Sequence, residues 1–311
     1  MDGIINVYKE AGFTSFDVVA KLRGILKQKK IGHTGTLDPD AEGVLPVCVG
    51  KATKVCEYLT KKDKIYRTVL HLGVTTDTQD SSGTVLKAGI PSLTEEQLRD
   101  IIHKFEGKIM QVPPMYSALK INGKKLCDLA RAGIEVERKA RETEIFSIDV
   151  MSVDLPFVTM QVHCSKGTYI RTLCQDIGEL AGCGGCMEKL LRVETAGFSV
   201  RHALRLCEIE KIVSGADEKK RQLSDILVPV DEVLNDYPKV TAKPGLEKLL
   251  QNGGRLPAAE ISGDMSLASD FYRVYDAAGF FVGLFSFHAA GRELKPEKMF
   301  YNRQNQTTVQ H

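Results

Sequence analysis

Residues 30–54 read KIGHTGTLDPDAEGVLPVCVGKATK and place one carboxylate, Asp38, between Leu37 and Pro39. Pro39 keeps Asp38 out of helical angles, so no regular element continues through it. Gly32, Gly35 and Gly43 let the backbone of this loop pass close to a bulky ligand. A carboxylate with an apolar neighbour, flanked by His33, Thr34 and Thr36, suits a nucleophile or a general base. The plain alternative is a polar turn between a helix and a strand.

Several other chemistries lack their parts. The run Gly43–Lys51 has the wrong spacing for a phosphate-cradling loop, and Ala52 follows its lysine. No H-E-x-x-H, no zinc-deaminase pair and no G-x-S-x-G elbow occurs. Glycoside hydrolysis normally takes two carboxylates about 5 to 9 Å apart. A lone carboxylate instead suits a glycosidic bond that is broken and remade within the enzyme.

Upstream of the loop, GIINVY (Gly3 to Tyr8) reads as a strand and KEAG (Lys9 to Gly12) as a turn. Thr14 or Ser15 caps a helix over Phe16 to Lys27, with Phe16, Val19, Leu22 and Ile25/Leu26 expected on one buried face. Lys27, Lys29 and Lys30 at its end complement the helix dipole or face a phosphate. Downstream, Ala52 to Leu59 reads as a short helix. Lys64 to Leu72 is a strand with Tyr66, Thr68, Leu70 and Leu72 on one face. Asp77 to Gly83 resembles a calcium loop, but Ala88 stands where a bidentate Glu is needed, leaving a turn.

Ser92-Leu-Thr-Glu95 reads as a capping box for a helix carrying Leu98, Ile101, Ile102 and Phe105. Val112 to Glu142 is rich in Lys and Arg around Tyr116 and an Asn122-Gly123 turn, a composition suited to gripping RNA. Phe157 to Cys164 alternates cleanly and leads into a helix whose expected cap is Thr168. Arg171 then falls in the first helical turn, where the dipole disfavours a cation. That misfit calls for a carboxylate partner, and Asp38 is the candidate. Cys183-Gly-Gly-Cys186 has no second pair at zinc spacing, so no metal site is expected.

The string G-H-T-G-T-L-D-P-x-A-x-G-V-L-P from Gly32 to Pro46 resembles the signature loop of the TruB family of tRNA pseudouridine-55 synthases. Lys64-x-Tyr66, P-P-x-Y-S-A-x-K (Pro113 to Lys120) and S-K-G-T-Y-I-R (Ser165 to Arg171) extend the resemblance over most of the first 235 residues. It implies an α+β fold: a mixed, largely antiparallel sheet with flanking helices, followed by a small β-rich, PUA-like C-terminal domain. The domains would be 1–236, catalytic, with 112–142 as an inserted segment that clamps RNA, and 237–302, RNA-binding. Residues 303–311 would form a disordered tail.

The resemblance also implies the activity, isomerising the T-loop uridine at tRNA position 55 to pseudouridine. Asp38 would be the nucleophile, attacking C1′ of the sugar or C6 of the base, and Arg171 would hold it ionised. Tyr66 would stack on the flipped uracil and take part in proton transfer. His33 would fill the gap left by the extruded nucleotide. Tyr169 and Leu190 would wall the pocket, and Lys9 and Lys64 would contact substrate. Glu10 stands where the family's K-P-x-G turn carries Pro, which removes rigidity there and adds a negative charge.

The whole chain of 311 residues has a formal net charge of +2, so an RNA partner such as the tRNA T-arm must be held by local basic patches. No metal or other cofactor is expected. No apolar run approaches the roughly 18 residues needed to span a bilayer. MDGIINVYKE lacks signal-peptide features, and the eight cysteines are scattered, so a cytoplasmic protein with reduced thiols is expected; a monomer is expected as well. Two rival readings are an RNA-folding factor whose isomerase activity is incidental and a non-catalytic RNA-binding module. The Asp38, Tyr66 and Arg171 set argues against the second.

Overall fold

The computed structural model of the chain describes residues 1–263, 265 and 269–301. The expected disordered tail, 303–311, lies outside the described residues, as does residue 302 at the expected end of the second domain. Ten strands form the main sheet. Its spine runs Leu227–Val228, Gly3–Lys9, Glu42–Val49, Gly185–Thr195, Lys64–Leu72, Phe157–Cys164, Arg141–Asp154, Gly107–Gln111. Neighbours along the spine are antiparallel except at one place, where Glu42–Val49 runs parallel to Gly185–Thr195. This is the mixed, largely antiparallel α+β fold that the sequence implied.

Period-two patterning decides one half of the sheet. Tyr66, Leu70 and Leu72 share a face with Val158, Met160, Val162 and Cys164, and the helix Ile170–Leu180 packs Leu173, Cys174 and Ile177 onto it. The other half is covered on both sides, which accounts for the unbroken apolar run from Val44 to Val49. One side receives Val18, Val19 and Leu22 of the helix Ser15–Ile25, with Leu206 and Ile209 from the helix Leu206–Ser214. The opposite side, around Ile4, Val44 and Cys48, packs on Val55, Leu59, Phe198 and Leu234.

Several local expectations change in detail. Thr14 is the cap of the first helix and forms a capping box with Asp17. That register turns Val18, Val19 and Leu22 inward and leaves Phe16 63% exposed, so Phe16 is not a core residue. The Arg23 guanidinium lies over its ring instead. Thr94, paired with Gln97, caps the helix Glu95–His103. The short helix expected over Ala52 to Leu59 is a 3₁₀ turn, Gly50–Val55, running into Cys56–Thr60. Tyr169 rather than Thr168 occupies the cap of Ile170–Leu180, because the Thr168 hydroxyl is engaged with Thr143 and the Ser165 carbonyl.

In the basic segment, Lys120–Ile121 and Lys124–Lys125 form a hairpin whose Asn122 and Gly123 both take positive φ, the geometry of a type I′ turn. The helix Leu126–Arg131 follows it. Past Pro238 the chain builds a second, six-stranded sheet in the order Leu256–Pro257, Glu293–Met299, Phe281–His288, Phe271–Tyr275, Lys239–Ala242, Ile261–Gly263. The expected hairpin is there, its turn fixed by the Asp276 carboxylate, which accepts from the Ala278 and Phe280 N–H groups.

The two sheets meet along an apolar seam. Leu284, with Phe271, Phe281 and Phe300 beside it, joins the cluster of Ile4, Val44, Cys48 and Leu59 in the main sheet. Lys51 and Lys54 donate to the Tyr301 and Met299 carbonyls across the same junction. A junction built this way should unfold together with both sheets. Leu284→Ala is expected to cost about 2–5 kcal/mol, the usual range for a buried leucine. Denaturant unfolding followed by probes in each sheet should stay a single transition with a lower midpoint; two separated transitions would refute the seam.

Candidate active site

The loop that carries Asp38 is anchored at several points. Leu37 N–H donates to the Ser15 hydroxyl at 2.9 Å, and Gly12 N–H donates to the Pro39 carbonyl at 3.0 Å. Thr34 donates to the Pro46 carbonyl through both its N–H and its hydroxyl. The Lys9 ammonium, fully buried, donates to the carbonyls of Pro39 (2.7 Å), Ala41 (2.5 Å) and Glu10 (3.1 Å). Lys9, expected to touch substrate, therefore spends its donors on the loop's own backbone. Burial pulls its pKa down to about 8, against the attraction of Asp40 and Asp38. Gly43 closes the loop at φ +107, and a Cβ there would collide with the Arg192 main chain.

Asp38 and Arg171 meet in a two-pronged ion pair: Nε to Oδ2 at 3.0 Å and Nη2 to Oδ1 at 3.2 Å. The remaining guanidinium donors are also used. Nη1 donates to the Thr78 carbonyl at 3.1 Å and lies 3.6 Å from Asp80 Oδ2, while Nη2 also donates to the Tyr116 carbonyl at 2.7 Å. Arg171 is thus a buried cation held rigidly between two carboxylates, which resolves its misfit with the helix dipole. Asp38 keeps 38% of its side-chain surface exposed, so it can reach a ligand. Enclosure by the cleft walls raises its pKa; Arg171 pulls it down, and Asp80 adds to the rise.

Asp80 and the Thr78 carbonyl come from the segment that sequence reasoning left as a turn. The signal available there was Asp80 itself, next to a glycine-closed turn. Gln79 is fixed too, its side-chain oxygen accepting from the Thr172 hydroxyl at 2.8 Å.

Tyr66 lies in the same apolar cluster as Leu37 and Ala41, with Leu190 packed against it. Burial raises the pKa of its hydroxyl, and the guanidinium of Arg192 opposes that rise. Tyr169 is oriented by Gln111, which accepts from its N–H at 3.0 Å and donates to its carbonyl at 3.2 Å. His33 ends the short strand Ile31–His33, half-buried on the loop's first limb, where its Nδ1 accepts from Gly35 N–H at 3.4 Å. Burial keeps His33 below the usual histidine pKa. Lys64 is buried beside this row, its ammonium donating to the carbonyls of Thr60 and Lys62, and burial lowers its pKa to about 8. Like Lys9 it is committed to backbone rather than presented to a ligand.

Among the described residues, no group of three or more His, Cys, Asp or Glu side chains is arranged to hold a metal ion. Cys183 and Cys186 are free thiols. No helix of the described residues is long and apolar enough to cross a membrane.

The Asp38–Arg171 pair and Tyr66 sit on this mixed sheet, and comparison with known proteins gives the class, pseudouridine synthase. Residues 23–170 match the TruB family pseudouridylate synthase (N terminal domain), and residues 171–235 match the tRNA pseudouridylate synthase B C-terminal domain. The chain is 49% identical over 311 residues to tRNA pseudouridine synthase B of Lachnoclostridium phytofermentans, covering 96% of this chain and 100% of that one. It is 44% identical over 284 residues to tRNA pseudouridine synthase B of Clostridium acetobutylicum, covering 91% and 95%. Among solved structures it resembles a chain of a Cbf5-Nop10-Gar1 complex, with a TM-score of 0.76 and 26% identity over 97% of this chain and 86% of that chain. A chain from an H/ACA RNP bound to a substrate RNA containing 2′-deoxyuridine shares the fold, with a TM-score of 0.75 at 24% identity, covering 97% and 86%. The chain belongs to the TruB family, and it is an enzyme that isomerises uridine to pseudouridine.

Lys9 tests whether the loop's anchorage matters. Lys9→Met leaves the Pro39 and Ala41 carbonyls without their donor, an expected cost of about 1–3 kcal/mol for unsatisfied buried groups. Asp38 should then lose its aim, with kcal-scale loss of stability in denaturant and a fall in turnover at saturating RNA. Wild-type turnover in a destabilised Lys9→Met protein would show that the anchor does not position Asp38.

Proposed function

We propose that this enzyme converts the uridine at position 55 in the T-loop of tRNA to pseudouridine, with Asp38 as nucleophile and with no metal or cofactor. The observation that carries this reading is the Asp38–Arg171 pair, a carboxylate gripped by an arginine and still partly exposed. The relatives named tRNA pseudouridine synthase B support tRNA as the substrate.

The reaction breaks C1′–N1, forms C1′–C5, loses one proton from C5 and gains one at N1. No net change of oxidation state occurs, so no electron carrier is required. The uridine leaves the stack to reach Asp38, and His33, at the cleft's margin, takes its place. Asp38 attacks C1′ or C6, and either route needs its ionised form, which Arg171 favours. The leaving uracil stays enclosed between Tyr66, Leu190 and Tyr169, turns, and is recaptured at C5. Tyr66 then takes part in removing the C5 proton.

Exposed Lys120, Lys124, Lys125 and Arg131 of the 112–142 segment face phosphates of the T-arm. Residues 237–302, which carry the second sheet, serve as the PUA-like RNA-binding domain. The enzyme works as a cytoplasmic monomer.

Incubation with an unmodified tRNA transcript, followed by mapping of pseudouridine at nucleotide resolution, tests the site. Product at position 55 is expected, and product only elsewhere overturns the assignment. Asp38→Asn is nearly isosteric, so turnover should vanish while tRNA affinity stays within about tenfold, or ~1.4 kcal/mol. Residual turnover near the wild-type rate would sink the nucleophile. Arg171→Met removes the charge that lowers the Asp38 pKa, so that pKa rises further. A smaller fraction of Asp38 is then ionised at a given pH, and the acidic limb of the single-turnover rate profile should move to higher pH. A limb that stays put would show that Arg171 does not set the ionisation of Asp38.

A further inference from the structure

A second arginine lies under the cleft without a counter-charge. Arg192 is 1% exposed and, among the described residues, heads the fully buried side chains by volume. Its Nε donates to the Val44 carbonyl at 2.7 Å, while its Nη2, sealed from solvent, has no partner among the described residues. Ion pairing supplies Arg171 with two carboxylates, but among the described residues no ion pair includes Arg192. Burial of an unpaired guanidinium is unfavourable. It becomes favourable when a neighbour turns negative.

The neighbours narrow the choice to one. Arg192 disfavours the charged forms of Lys9, Lys64 and His33. Asp38 takes its stabilisation from Arg171 and Lys9. The acid directly opposite Arg192, across the antiparallel pair of strands Gly185–Thr195 and Lys64–Leu72, is Tyr66. The other groups facing Tyr66 are Cys164 on the adjacent strand and Asp38 in the loop, and negative charge on either one opposes a phenolate. Arg192 is the cation that favours it.

We propose that Arg192 is a positioning residue for proton transfer, its buried guanidinium stabilising the Tyr66 phenolate that accepts the C5 proton of the recaptured uracil. In this step the C5–H bond breaks, its electron pair forms the C5–C6 double bond, and the C6–N1 double-bond pair shifts to N1, which takes a proton from water. The proton passes to the phenolate oxygen, giving neutral tyrosine, which returns its proton to water before the next turnover. The two buried arginines thereby divide the work, Arg171 serving the nucleophile and Arg192 the base. The inference rests on the reading of Tyr66 as the proton acceptor.

The test uses the full chain and an unmodified tRNA transcript at saturating concentration, with single-turnover rates measured across pH. Substrate carrying deuterium at uracil C5 reports proton removal directly. Arg192→Met is expected to move the inflection set by Tyr66, separate from the one set by Asp38, up by about one pH unit, roughly tenfold in rate at a fixed pH below it. It should also enlarge the C5 isotope effect, with tRNA affinity little changed. Arg192→Lys, which keeps a cation, should shift that inflection less, and it serves as the reporter should the Met variant fail to fold. A folded Arg192 variant with the wild-type inflection and isotope effect overturns the proposal. Tyr66→Phe separates the two readings. Wild-type turnover in Tyr66→Phe removes Tyr66 from proton transfer altogether. A slow Tyr66→Phe beside an unaltered Arg192→Met removes Arg192 alone.

Discussion

The structure depends on one close approach. Gly43 and Arg192 stand side by side where the only parallel pair in the main sheet's spine forms. Lacking a Cβ, Gly43 lets the backbone of the Asp38 loop settle against the Arg192 main chain. The register then continues on both sides, Lys9 beside Gly43 and Tyr66 beside Arg192, with Val162 beyond. One row across five strands thus holds the loop's anchor, its hinge, the buried cation and the tyrosine. Strand pairing fixes their spacing, and no loop has to find it.

Electrostatics follow from that placement. Tyr66 packs among apolar groups such as Leu37 and Leu190, and burial raises the pKa of both Tyr66 and Asp38, so ionisation there is easily moved. Enclosure raises the Asp38 pKa, and Arg171 counters this through a paired geometry that also locks orientation. Asp80 and the carbonyls of Thr78 and Tyr116 occupy the rest of the guanidinium, so it cannot swing away from the nucleophile. The lysines near the loop do different work. Lys9 and Lys64 act as internal clamps, their long stems carrying the ammonium into clusters of backbone carbonyls.

Much of this was legible in the sequence because two signals were physically direct. Alternation in Lys64–Leu72 and Phe157–Cys164 named the buried face correctly, since a sheet covered by a helix admits few exceptions. Arg171 in a first helical turn announced a missing partner, and Asp38 supplied it. What stayed hidden shares a cause. A side chain that binds backbone carbonyls leaves no complementary residue to find, so Lys9 and Lys64 read as RNA contacts. Asp80 sits in a turn whose polarity already had a sufficient explanation. Arg192 occupies a strand whose pattern gives no hint that a guanidinium is sealed inside. Phe16 failed for another reason: one residue of helical phase, set by the Thr14 cap, separates its exposed ring from the core.

The apolar seam between the two sheets carries a mechanical meaning. Leu284 and its aromatic neighbours are packed into the same cluster as strands that hold the Asp38 loop, so the separation between the cleft and the second sheet behaves as a fixed length. A ligand touching both units meets a gauge rather than a hinge. One whose two contact points match the gauge binds without ordering the protein further. A ligand with any other spacing must bend itself to touch both units.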